Sequence, residues 1–69
     1  MTQHEAIIDY LQKNESISPY EAFLYLNITK LSTRVGELIK AGYNIIKKWE
    51  IKTDIYGKQT RYVRYSLGV

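Results

Sequence analysis

Hydroxyls and cations crowd one stretch in the middle of this sequence: Thr29, Lys30, Ser32, Thr33 and Arg34, with Lys40 further along. A second pair, Lys58 and Arg61, flanks a glycine-containing turn signal. Lysine can donate to the acceptors of guanine, and threonine can meet a base edge or a thymine methyl group. Lysine and arginine also hold phosphates. The chemistry on offer is recognition of a polyanion. Plainer roles compete with it. Serine and threonine cap helices, and Arg34 can pair with Glu37 three residues on for a few tenths of a kcal/mol. Basic residues on a strand protect its edge from aggregation. Glu37 could accept from a cytosine amino group, although an exposed surface role explains it as well.

Catalytic chemistry has little to work with. Ser18 and Ser32 lack a glycine-rich elbow, and His4, the one histidine, sits on an opening helix rather than beside either serine. Gly36, Gly42, Gly57 and Gly68 are scattered, so no phosphate-cradling loop is formed. With no cysteine and a single histidine, thiolate and multi-histidine metal sites are excluded. The expectation is a binding module without cofactor or metal, not an enzyme.

The charge is divided along the chain. Residues 1–28 carry one base against four acids, net −3, whereas residues 29–69 carry nine bases against three acids, net +6. A basic half on a small domain is the electrostatic footprint of a nucleic-acid binder. No run approaches the roughly 20 apolar residues of a membrane span. The opening Met1-Thr2-Gln3-His4-Glu5 lacks the basic start and apolar core of a signal peptide. A cytoplasmic protein with no membrane partner is the expectation.

Small size makes packing decisive. A 69-residue chain without disulfides buries only about 60% of its unfolded surface, so the core must be well patterned. The hydrophobic share of 45%, with seven Tyr, one Trp and one Phe, suffices for a globular fold and argues against disorder. One domain over 1–69 is expected.

The elements that would position the candidate residues can be read from capping and period. Thr2 and Glu5 form a capping box opening a helix near 3–13, with Ile7 and Leu11 inward. Ser18-Pro19-Tyr20-Glu21 opens a second, near 19–26, and Asn27 can take the left-handed stop. Thr29 is expected to cap a third helix near 30–41. Stepping about 100° per residue puts Leu31, Val35, Leu38 and Ile39 on one stripe and Thr29, Lys30, Thr33, Gly36, Glu37 and Lys40 opposite.

Beyond Gly42 the period becomes two, predicting strands near 43–53 and 60–67. A three-residue loop, Ile55 to Gly57, sets Trp49 opposite Val63 and Ile45 opposite Leu67; a two-residue loop would face charges with apolar residues. Ile17 can add a short third strand. The expected core is Ile7, Leu11, Phe23, Leu26, Leu31, Val35, Leu38, Ile45, Trp49, Val63 and Leu67, with Tyr65 also inside. Tyr56 and Tyr62 are the exposed aromatic candidates. Lys48, Lys52 and Arg64 should lie on the outward face of the hairpin.

This order is α+β: three helices, then a two-stranded hairpin. It resembles the winged helix-turn-helix. The residues are similar to a family of small helix-turn-helix domains of bacteriophages and prophages. The match lies in Thr29-Lys30-Leu31-Ser32-Thr33-Arg34-Val35-Gly36-Glu37-Leu38, in Gly42-Tyr43-Asn44-Ile45 and in Arg64-Tyr65-Ser66-Leu67. It covers almost the whole chain, which departs from the family in a longer wing and more tyrosines.

The resemblance implies binding of double-stranded DNA, with the third helix in the major groove and the wing on phosphates. That is the work of a phage or prophage transcription regulator or recombination accessory. So small a module calls for a homodimer or a cooperative array on DNA. The competing reading is a protein-binding module that inhibits a host protein through the acidic first helix, with Glu5, Asp9 and Glu15.

Overall fold

A computed structural model describes residues 1–68. Among them the chain forms α1 (Gln3–Lys13), α2 (Pro19–Leu26), α3 (Leu31–Lys40), β1 (Ile45–Thr53) and β2 (Gln59–Leu67). This is the α+β order of three helices and an antiparallel hairpin expected from the sequence.

The helix ends follow local chemistry. The Glu5 amide donates to Thr2 Oγ1 at 3.1 Å and the Thr2 amide to Glu5 Oε1 at 3.0 Å. The same box recurs between Ser18 and Glu21, at 3.2 and 2.9 Å. Helix α2 stops where Asn27 turns left-handed, at φ 56°. The Ile28 amide then donates back to the Ala22 carbonyl at 3.0 Å, and the Ile28 side chain plugs the core at 1% exposure.

That turn overturns the expected cap of α3. The capping position is Lys30, with no side-chain cap bond, and Thr29 lies exposed in the turn. Burying both Ile28 and Leu31 fixes the chain so that helical geometry begins at Leu31.

In the hairpin, Ile45 pairs with Leu67 and Trp49 with Val63. The loop closes through Asp54 N–H to the Lys58 carbonyl at 2.9 Å, with Gly57 at φ 80°. The three-residue loop and its register are therefore as expected. Ile17 bridges Tyr65 antiparallel, through bonds of 2.8 and 2.9 Å. This short bridge leaves β2 between Ile17 and β1.

The core comprises Ile7, Leu11, Ile17, Ala22, Ile28, Leu31, Val35, Leu38, Val63 and Tyr65, with Leu26, Ile45 and Leu67 half-buried against it. Phe23 and Trp49, expected inside, are exposed. The causes differ. Helix α2 is apolar nearly all round, but it meets the body through Ala22 and Leu26 and, beside them, through Glu21 against Arg64 and Tyr25 against Tyr10, and Phe23 points about 100° away from Ala22. Trp49 shares a sheet face with Val63, yet the nine-residue strands run about 30 Å, and burial on that face stops at Val63 and Tyr65 on β2. Ile39, at the edge of the apolar stripe, is also exposed.

Candidate nucleic-acid interface

Helix α3 turns its apolar stripe inward on Leu31, Val35 and Leu38. Its other side is open: Ser32, Thr33, Gly36 and Lys40 are exposed, as are Thr29 and Lys30 just before it. A Cβ built on Gly36 would meet nothing within 4 Å. No contact inside the protein therefore requires glycine at this point of an outward helical face.

Arg34 is set apart from this group. It is half-buried on the flank of α3, where Nε donates to Gln3 Oε1 at 3.0 Å and Nη1 to Glu37 Oε1 at 2.8 Å. His4 Nε2 meets the same Glu37 oxygen at 2.7 Å. The hydrogen bond from Arg34, then that from His4, hold the Glu37 carboxyl below its ordinary range. Both side chains are thus bound toward the start of α1.

The wing presents Lys58 and Arg61 near its tip, both exposed. Asp54 does not neutralise them: its Oδ1 accepts the amides of Tyr56 and Lys58, each at 2.9 Å. Lys48 and Lys52 are exposed, but the face they share with Arg64, expected to point outward, borders α2, where Lys52 lies in a pocket with Tyr20, Glu21 and Tyr25. Arg64 shares that face but is half-buried and tied down. Its Nε donates to Glu50 at 2.7 Å, and its Nη1 to Glu21 at 2.7 Å and to Ser16 at 3.1 Å. It joins the wing to the start of α2 instead of lying free beside Lys48 and Lys52.

Lys13, Arg34 and Arg64 hold carboxylates. Lys30, Lys40, Lys47, Lys48, Lys52, Lys58 and Arg61 pair with no carboxylate among the described residues. All of these unpaired cations lie at the ends of α3 or on the wing. Sequence reasoning passed over Lys47 and placed Trp49 in the core. Lys47 Nζ lies 5.5 Å from the centroid of the Trp49 ring, and Arg61 Cζ lies 5.2 Å from it. The signal that could have found them was strand length, which carries Trp49 past the helices.

Among the described residues, no cluster of His, Cys, Asp or Glu is arranged to hold a metal ion, and no helix is long and apolar enough to cross a membrane. A groove of 610 Å³ runs between α1 and α3, floored by Ile8, Leu38 and Ala41 and edged by Glu5, Asp9 and Glu37.

A family model for the winged helix-turn-helix domain matches residues 2–69. Comparison with curated proteins finds no match.

Proposed function

On the premise that the chain belongs to the winged helix-turn-helix domain family, we propose that it binds double-stranded DNA through α3 and the wing. The observation that carries this reading is the segregation of charge. Cations without carboxylate partners are gathered on α3 and the hairpin, while most of the acids are engaged in caps, in the turn or with Lys13, Arg34 and Arg64. Such cations displace counterions from DNA and supply affinity without reading sequence.

Sequence is read by the open face of α3. Thr29, Lys30, Ser32 and Thr33 lead into the major groove, where the first residues of a recognition helix meet base edges. Lys40 follows at the far end of the helix and takes a phosphate. Lys58 and Arg61 hold phosphates from the wing. Arg34, bound to Gln3 and Glu37, steadies α3 against α1 and reaches DNA only by giving up those bonds.

In this reading the protein is a cytoplasmic phage or prophage transcription regulator or recombination accessory, and not an enzyme. It works as a homodimer or as a cooperative array, because one module this small buries little surface on DNA. The test is titration of labelled duplexes at several salt concentrations, followed by selection from a random duplex pool. Binding that weakens steeply with salt and enriches a defined sequence supports the proposal. Enrichment of no sequence removes the regulator role, and failure to bind any duplex removes DNA binding.

The apolar floor and acidic edge of the α1–α3 groove favour a second reading, in which the domain captures a basic segment of a host protein and inhibits it. Absence of duplex binding at low salt, together with inhibition abolished by Asp9→Lys, would establish that alternative.

A further inference from the structure

Trp49 is the only tryptophan in the chain, and it stands 55% exposed on the wing. The register places Lys47, Trp49, Ile51 and Arg61 on the same sheet face as buried Val63 and Tyr65. The part of that face nearest the helices is covered, and the rest projects past them. Lys47 approaches the indole from the body side, 5.5 Å from the ring centroid, and Arg61 from the tip side, at 5.2 Å.

Among the described residues, no acid shares this face. Glu50 lies on the opposite side with Arg64, and Asp54 is held by amides of the turn. The result is a flat π surface between two unneutralised cations. An acidic peptide would satisfy the cations but leave the indole face open. A nucleobase with phosphates on either side satisfies all three groups. The exposed cation–π contacts that occupy the ring in the free protein are weaker than base stacking, so a base can displace them.

We infer that Trp49 stacks on an unstacked nucleobase of bound DNA while Lys47 and Arg61 hold the neighbouring phosphates. This rests on the DNA-binding reading and adds a site that recognition by α3 does not require. The exposed base can come from a single strand or from a step opened within a duplex.

Because Trp49 is the sole indole, its fluorescence reports the contact directly. A single-stranded oligonucleotide and the duplex of the same sequence are each titrated, with binding followed independently by anisotropy of a label on the DNA. Quenching of Trp49 that saturates with the anisotropy signal is expected. Trp49→Ala should weaken binding about 5- to 150-fold with the salt slope unchanged. Trp49→Phe, which keeps a ring, should restore most of the affinity, and circular dichroism checks that both variants are folded. Quenching by the single strand identifies unpaired bases as the source, and quenching by the duplex alone identifies an opened step. Binding with unquenched emission and unaltered affinity of Trp49→Ala overturns the stacking site and leaves DNA binding intact. Absence of binding to either oligonucleotide overturns both.

Discussion

Arg64 on β2 donates from Nη1 to Oε1 of Glu21 on α2 at 2.7 Å, and that same oxygen accepts the Ser18 amide at 2.9 Å. One carboxylate oxygen thus closes the capping box of α2 and anchors the wing. Charge-assisted bonds at partly buried sites contribute about 1.5–3 kcal/mol each, less where solvent reaches them. Arg64→Met should therefore lower the unfolding free energy by about 1–2 kcal/mol in urea titrations. It should also speed hydrogen exchange at the Tyr65 amide, which donates to Ile17 at 2.9 Å. Unchanged stability together with unchanged exchange would show that the wing does not depend on this link.

The open surroundings of Gly36 lead to a trade between stability and binding. Glycine inside a helix costs about 1 kcal/mol relative to alanine, and here a Cβ meets nothing within 4 Å. Gly36→Ala should raise the melting temperature. If α3 lies in the groove with Gly36 toward the DNA, the same substitution should weaken duplex binding. Higher stability with unaltered affinity would place Gly36 away from the DNA.

Reading of bases and neutralisation of phosphates leave different signatures. Thr33→Ala should change which duplexes are preferred, by at most about 1–3 kcal/mol between best and worst. Lys58→Ala should weaken all duplexes alike and lower the salt slope by about one unit. An affinity series over a few duplexes and salt concentrations separates the two. Uniform loss from Thr33→Ala would refute its role in sequence reading.

Acid should loosen the α1–α3 contact. The Glu37 carboxyl is held below its ordinary value by Arg34 and then His4, and Glu5 by its bonds to the amide and hydroxyl of Thr2. A carboxyl depressed in the folded state adds stability that is fully present above its unfolded value, about 4.3. That stability is lost as pH falls through the lower folded value. The melting temperature should hold between pH 7 and 5 with respect to these groups, then fall below about pH 4. Glu37→Gln should lower the melting temperature at neutral pH and flatten the acid limb. An identical acid limb in that variant would assign the loss to other carboxyls.

The core predicts opposite outcomes for two neighbouring apolar residues. Ile28 is 1% exposed and Phe23 is 55% exposed. Ile28→Ala should cost about 2–5 kcal/mol, as should Leu38→Ala, whereas Phe23→Ala should stay within about 0.5 kcal/mol, as for a surface site. Equal losses at Ile28 and Phe23 in denaturant titrations would mean that Phe23 is buried in solution.

Much of this protein follows from local rules written in its residues. Thr2 with Glu5 and Ser18 with Glu21 start α1 and α2 where they do, because a capping box needs only four consecutive residues. The left-handed Asn27 and Gly57 and the three-residue loop are equally local. The hairpin register follows from the loop once alternate residues must share a face, and the period-two pattern supplied that condition. The exposed Lys30, Thr33 and Lys40 were legible because helical period alone sets them opposite Leu31, Val35 and Leu38.

What the sequence could not decide was where the body ends. Phe23 and Trp49 read as core because each is large and apolar, but burial depends on what lies across from a side chain. Helix α2 turns Ala22 and Leu26 inward, and the strands outrun the helices. Ile28 was overlooked for the reverse reason: it falls in a turn, where no period marks it. Arg34 and Arg64 could each have been free cations by sequence. Only packing brought Gln3 beside the first, and Glu21 with Ser16 beside the second, across separations of 31 to 48 residues. Charge pairing over such distances belongs to the tertiary structure, and it is pairing that separates the cations left available for DNA from those that hold the fold together.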